Sequence, residues 1–242
     1  MSERFRFWLV TVAAALGVAI TAALGQWQLG RAAQKAELQA LMDARQAQAP
    51  LDGAALLRAG ADAALLQRPI EVRGQWLPEH TIFLDNRQMN GRPGFYVLTP
   101  LRIEGSASAV LVQRGWAPRG FQDRLRLPRI DTPAGPVTVS GHVLEAPSRL
   151  YELGQGSDAA GPIRQNLDLA QYAAQTGLTL TPLAVRQAGP ASEGLLREWP
   201  HVGSGVEKHH GYAFQWFGLS ALIAILYVWF QIVRRYRRRS ER

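Results

Sequence analysis

The stretch YAFQWFGLSALIAILYVWFQIV, residues 212–233, carries no charge for 22 residues and then meets RRYRRR, residues 234–239. A helix of that length rises about 33 Å, enough to cross a hydrocarbon core. A helix buried in a soluble protein has no reason to end in five arginines within six positions. Near the other end of the chain, Trp8–Gly25 is a second uncharged stretch, of 18 residues, preceded by Arg4 and Arg6. A cleaved secretory signal is the other reading of this first stretch, because Ala22 and Ala23 put small residues near its end. Basic residues stay on the cytoplasmic side of a membrane, so both tails are expected inside and everything between the spans outside. In a Gram-negative cell that means a periplasmic domain held in the inner membrane. Trp27, Tyr212, Trp216, Tyr227 and Trp229 lie near the span ends, where amphipathic rings favour the interface.

Charge supports this layout. The two tails together hold 8 basic and 2 acidic residues, whereas Trp27–Lys208 holds 19 and 17. The positive excess therefore sits beside the apolar stretches and not on the folded domain, which argues against a nucleic-acid partner. There is no cysteine, so disulfides and thiolate metal sites are excluded. With three methionines in the whole chain, a methionine-rich copper site is disfavoured too.

Between the spans, Trp27–Gln48 is rich in Ala, Leu, Gln, Glu and Lys and predicts a helix continuing the first span and ending before Pro50. Ala54–Ala59 predicts a short helix. From Arg68 the texture turns to strands: one beginning at Ile70, Val72 and Trp76, then Thr81–Asn86, Phe95–Ile103, Ala109–Trp116 and Val137–Leu144. Asn90-Gly91 and Pro93-Gly94 read as successive turns. Asn166–Thr176 predicts a helix capped by Asn166 or Asp168, and Thr181–Gln187 a closing strand. Gly189–Val206, with Pro190, Pro200 and several glycines, reads as an irregular tether. The expected class is α+β: two transmembrane helices flanking a periplasmic domain with a mainly antiparallel sheet. The expected segments are a tail 1–7, a span 8–26, a juxtamembrane helical segment 27–60, the domain 61–188, a tether 189–211, a span 212–233 and a basic tail 234–242.

The usual chemical signatures are missing. The five histidines, His80, His142, His201, His209 and His210, have no metal-ligand spacing. Gly203-Ser204-Gly205 lacks the spacing of a nucleophile elbow, and Gly154-Gln155-Gly156 has no phosphate-binding lysine near it. No acid–base pair stands out, so the domain is not read as an enzyme. One face is chemically suggestive. A helix through the start of the second span puts His209, Tyr212 and Trp216 on neighbouring turns. Two roles fit that face: interfacial anchoring or packing against the first span, and axial ligation of a haem iron by His209.

Four stretches, taken together, resemble one family. They are Gly25-Gln26-Trp27-Gln28-x-x-Arg31-x-x-x-Lys35 after the first span, and Asn90-Gly91-x-Pro93-Gly94-Phe95-Tyr96-Val97-Leu98-Thr99-Pro100-Leu101. The others are Val110-Leu111-Val112-x-Arg114-Gly115-Trp116-x-Pro118, and His209-x-x-Tyr212-x-x-x-Trp216-Phe217-Gly218-Leu219 at the second span. In order and spacing they are similar to the Surfeit locus protein family of cytochrome oxidase assembly factors. The likeness is thin between Arg119 and Val206. Gln34, Lys208 and Gln113 depart from the family's usual aromatic, asparagine and asparagine.

The resemblance implies a bacterial assembly factor for haem-copper terminal oxidase. Members of this kind look like carriers that bind haem a and help insert it into the catalytic subunit. It implies His209 as the axial ligand to haem iron, with His210 as the fallback. Tyr212, Trp216 and Trp27 would cover the macrocycle while its isoprenoid tail stays in lipid. Lys208 would attract a propionate or meet lipid headgroups. The implied partners are the oxidase catalytic subunit, haem a synthase and membrane lipid. The rival expectation is a membrane scaffold that clamps an oxidase intermediate and binds no cofactor. The Pro93-Gly94 and Arg114-Gly115-Trp116 motifs are expected to serve the fold, with glycine and proline setting turns and Trp116 in the core.

Overall fold

The computed structural model describes residues 2–120, 127–145, 161–199, 205–234 and 236. The Gly154–Gly156 stretch, residues 200–204 of the expected tether and most of the basic tail lie outside the described residues. The chain forms two compact units, Met1–Leu41 with His201–Arg242, and Met42–Pro200.

The first unit is a pair of long helices. One helix, α1, runs without a break from Glu3 to Gln46. The expected span and juxtamembrane segment are therefore a single rod. It contains no proline, and strong helix formers carry it past the apolar stretch. Its partner, α4 (Val206–Tyr227), continues as a π-helix over Val228–Val233. Both are long and apolar enough to cross a membrane.

The shielded positions of α1 recur at Thr11, Ala14, Val18, Thr21, Gly25, Gln28, Ala32 and Lys35. Those of α4 recur at Val206, His209, Ala213, Trp216, Ser220, Ile223 and Tyr227. Steps of three and four residues make a 3.5-residue repeat, the period of a left-handed pair of helices. The pairing is antiparallel. Thr11 Oγ1 meets the Tyr227 hydroxyl at 2.9 Å, and Ser220 Oγ donates to the Val18 carbonyl at 3.3 Å. Gly25 makes room for the Phe217 ring, which would lie 2.8 Å from a Cβ there. Small residues and buried hydroxyls join helices where lipid offers no hydrophobic drive. Leu9, Leu16, Ile20, Leu222, Ile225 and Phe230 face outward.

The second unit is built on β1 (Leu51–Asp52), β2 (Pro69–Trp76), β3 (Ile82–Met89), β4 (Arg92–Ile103), β5 (Ala109–Pro118), β6 (Pro136–Leu144), β7 (Ile163–Arg164) and β8 (Ala184–Gln187). Their order in the sheet is β1-β2-β6-β8-β5-β4-β3-β7, and β4 also pairs with β2. That last pairing closes β2, β6, β8, β5 and β4 into a barrel. The long ladders are antiparallel, and the three parallel pairings cover two residues each. Closure leans on glycine. A Cβ on Gly74 would lie 2.2 Å from the Arg102 carbonyl oxygen, and one on Gly141 2.2 Å from that of Arg186.

Strand β2 alternates exposed and buried residues along its length. Its inward Ile70 and Val72 join Val112, Val139, Val143 and Val185 in the barrel core. Helix α2 (Gly53–Ala59), capped by Asp52 accepting from the Ala55 N–H at 2.7 Å, adds Leu56 to that core. Helix α3 (Leu169–Thr176), capped by Asp168, covers part of the outer face through Tyr172.

Two expectations are corrected here. Asn90 and Gly91 do form the β3–β4 turn, with φ of 52° and 73°, as a tight hairpin requires. Pro93 and Gly94, however, lie inside β4, opposite Gln88 and Arg87. Gly94 is needed for approach and not for turning: a Cβ would sit 2.3 Å from the Ala117 oxygen and 2.4 Å from the Trp116 ring. The expected tether is also more ordered than its composition implies. Residues 189–199 pack on the barrel: Leu195 is 1% exposed and Leu196 exchanges backbone hydrogen bonds with Trp116. Arg197 fixes the segment further, donating to the Arg114 carbonyl at 2.7 Å. His209 to Gly211 also leave the expected tether, since α4 begins at Val206.

Candidate functional site

Helix α4 starts after Gly205, whose φ of 139° only glycine takes readily. The His209 N–H closes the first turn on the Gly205 carbonyl at 3.3 Å. This start fixes the phase of everything after it. His209, Ala213, Trp216 and Ser220 fall on the face turned to α1, where Ala213 is buried. Tyr212 stands to one side of that face and is 51% exposed, while His210 stands to the other side and is exposed.

The facing turn of α1 supplies Gln28. Its side-chain Oε1 lies 2.7 Å from His209 Nδ1. An amide oxygen only accepts, so Nδ1 carries the proton and donates, and Nε2 is left with its lone pair. One hydrogen bond thus joins the first sequence motif to the fourth, across 181 positions. Gln28 belongs to the first quoted motif, where no role was expected of it. The available signal was an antiparallel pairing of span ends, which sets the start of one helix beside the late turns of the other. Cations gather nearby. Lys35 Nζ would lie 3.0 Å from a Cβ at Gly205, and the Arg31 guanidinium stands 5.9 Å from the Trp27 ring centroid. Trp27 itself is 55% exposed.

The donor set therefore has one imidazole with a free Nε2 and exposed aromatic rings on neighbouring turns. That suits a flat apolar macrocycle with one axial bond, and it offers no second side-chain ligand pointed the same way, since His210 lies about 100° round the helix. Among the described residues no group of three His, Cys, Asp or Glu side chains could hold a bare metal ion.

The motifs of the second unit do a different job. Arg114 is fully buried at the end of the barrel core, its guanidinium 4.6 Å from the Trp76 ring centroid. It donates to Glu193 at 2.9 Å, to the Asp131 carbonyl at 2.9 Å and to Thr132 Oγ1 at 2.7 Å. Gly115 lets Leu195 close in, and buried Trp116 donates from its indole to the Arg87 carbonyl at 2.8 Å. The motif is a clamp for the 189–199 segment.

A family model described as "SURF1 family" matches residues 15–221. Among curated proteins, a "SURF1-like protein" of Rickettsia felis is 29% identical over 220 residues, covering 86% of this chain and 91% of that one. A "SURF1-like protein" of Rickettsia bellii is 26% identical, covering 84% and 83%. Another, of Rickettsia conorii, is 27% identical, covering 90% and 88%.

Proposed function

The chain belongs to the SURF1 family of oxidase assembly factors, and on that premise we propose that it binds haem a at the α1–α4 pair and helps insert it into the catalytic subunit of a terminal oxidase. The observation that carries this reading is the Gln28–His209 hydrogen bond. It holds an imidazole at the start of an apolar helix with Nε2 ready to coordinate. Haem a bound there would supply the iron for that nitrogen and an apolar plane for the rings. His209 would provide the axial nitrogen, and Gln28 would fix its tautomer and ring angle. Tyr212 and Trp27 would shield the plane from water, and Trp216 would back His209 two turns further along the helix. Lys35, Arg31 and Lys208 would offer cations for acidic substituents. The oxidase catalytic subunit and haem a synthase are the partners this role needs.

The test is to express the full chain in a cell that makes haem a, purify it in detergent and record its absorption spectrum. A haem a band is expected. A reproducibly colourless protein would favour the scaffold reading, in which the barrel clamps an oxidase intermediate without a cofactor.

The same proposal puts both termini in the cytoplasm and the barrel in the periplasm. Because the chain has no cysteine, single introduced cysteines report topology directly. Ala107→Cys, in the exposed β4–β5 turn, is expected to react with an impermeant maleimide in spheroplasts. Arg239→Cys is expected to react only after lysis. The reverse pattern would rule out delivery from the periplasmic face.

A further inference from the structure

We infer that the outer face of the barrel carries a carboxylate-binding site centred on Arg186, independent of the haem reading. Arg186 on β8 stands directly between Gln113 on β5 and His142 on β6. Residues paired across strands share a face, so all three side chains leave the sheet on the same side. Gln113 pairs with Leu98 on β4, and Tyr96, two residues along, shares that face too. Trp199 covers one side of the group, with its ring 5.3 Å from that of Tyr96 and 5.9 Å from the Arg186 guanidinium.

What marks this face is unspent hydrogen-bonding capacity. Among the described residues no carboxylate pairs with Arg186, and its buried Nε has no acceptor. Gln113 is 5% exposed, yet its amide has no partner among the described residues. The Tyr96 hydroxyl and the His142 ring have none there either. Buried polar groups are normally satisfied, and a desolvated guanidinium without a counter-charge is costly. Burial lowers the Arg186 pKa and raises that of Tyr96, so both groups feel the loss of water. Asp85, which acts on the neighbouring Arg87, is taken by Arg119 at 3.2 Å.

The donors suit a carboxylate. Trp199 occupies the face of the guanidinium and leaves its N–H edge free for a two-pronged bond to two oxygens. The Gln113 amide and Tyr96 hydroxyl supply further donors. Arg87, 5.9 Å from the Tyr96 ring centroid, adds positive potential from the other side. The carboxylate belongs either to a small free acid or to an acidic side chain of a protein.

The experiment uses the full chain in detergent with 15N-labelled tryptophan. The Trp199 indole resonance, assigned with Trp199→Phe, is followed during titration with sodium acetate, with sodium chloride at equal ionic strength, and with an end-blocked glutamate tripeptide. A saturable shift with acetate or the peptide, absent with chloride, is expected in the millimolar range. Tighter binding of the peptide would identify a protein side chain as the source, and equal or tighter binding of acetate a small acid. Arg186→Gln and, separately, Gln113→Leu are each expected to weaken binding by at least about tenfold. The second variant carries the test if the first lowers the melting temperature. A response identical to chloride, or one that neither substitution weakens, would overturn the site.

Discussion

Replacing His209 by Ala is expected to give a protein that inserts and folds normally but purifies without haem a. The effect is expected through Nε2. A single imidazole nitrogen on this surface is free to coordinate, because Gln28 holds the other. Removing the ring would take the proposed iron bond away while leaving the small-residue seam at Thr21, Gly25 and Ala213 in place. Gln28→Ala is expected to be milder, weakening haem a by about ten- to a hundredfold, the usual cost of losing the partner that orients a metal-binding histidine. Gln28→Glu keeps an acceptor at the same reach and is expected to retain most of the affinity. The apo protein gives a second readout: 15N spectra of labelled histidine are expected to show the His209 proton on Nδ1 in the wild type and to lose that preference in Gln28→Ala. If His209→Ala still carries haem a, the ligand assignment is wrong. If His209→Ala is colourless but Gln28→Ala changes neither affinity nor proton position, the ligand stands and the positioning role falls.

The contrast between His209 and Gln28 shows which parts of the site a sequence can disclose. His209 announced itself through local spacing, because Tyr212 and Trp216 follow at helical intervals. Gln28 depends on which turn of α1 meets which turn of α4, and no local pattern carries that register. The fold divides in the same way. The strands and the Asn90-Gly91 hairpin are local, so β-branched runs and turn chemistry reveal them. Barrel closure is not local: the β2–β4 and β5–β8 pairings join strands far apart in sequence. Composition misleads where tertiary contact overrides it. Pro93-Gly94 has turn chemistry, but packing against Trp116 demands a residue without a side chain inside a strand. Gly189–Trp199 has the composition of a linker, but Leu195, Arg197 and Trp199 anchor it.

This anchoring means that one strand motif holds two pieces of structure together. Val110 and Val112 fill the barrel, Arg114 crosses to Trp76 and out to Glu193, and Trp116 pairs with Leu196. The segment that leads back toward α4 is thus set by the barrel up to Trp199. Trp199 donates to the Gln187 carbonyl at 2.8 Å, which extends the same anchoring to β8.

The strongest test of that arrangement is Arg114→Met. Its guanidinium is fully buried, and its partner Glu193 is shared with Arg197 at 3.3 Å. Breaking a buried pair by removing one partner costs about 3–5 kcal/mol, chiefly because the remaining charge is left in a poor environment. Here Arg197 keeps Glu193 partly compensated, so the lower end, about 3 kcal/mol, is expected, together with the lost stack on Trp76. For a domain of this size that is a fall in melting temperature of roughly 10 °C. Glu193→Gln is expected to cost more than Arg114→Met, since it leaves the Arg114 guanidinium with no counter-charge in the core. The double variant Arg114→Met, Glu193→Gln is expected to be less destabilised than the two single effects added together, because the second change removes a charge that the first has already stranded. Thermal melts of the full chain in detergent read all three. A melting temperature for Arg114→Met within a degree or two of the wild type would mean that the buried guanidinium does not hold the 189–199 segment, and that Leu195 and the Trp116–Leu196 backbone pairing suffice.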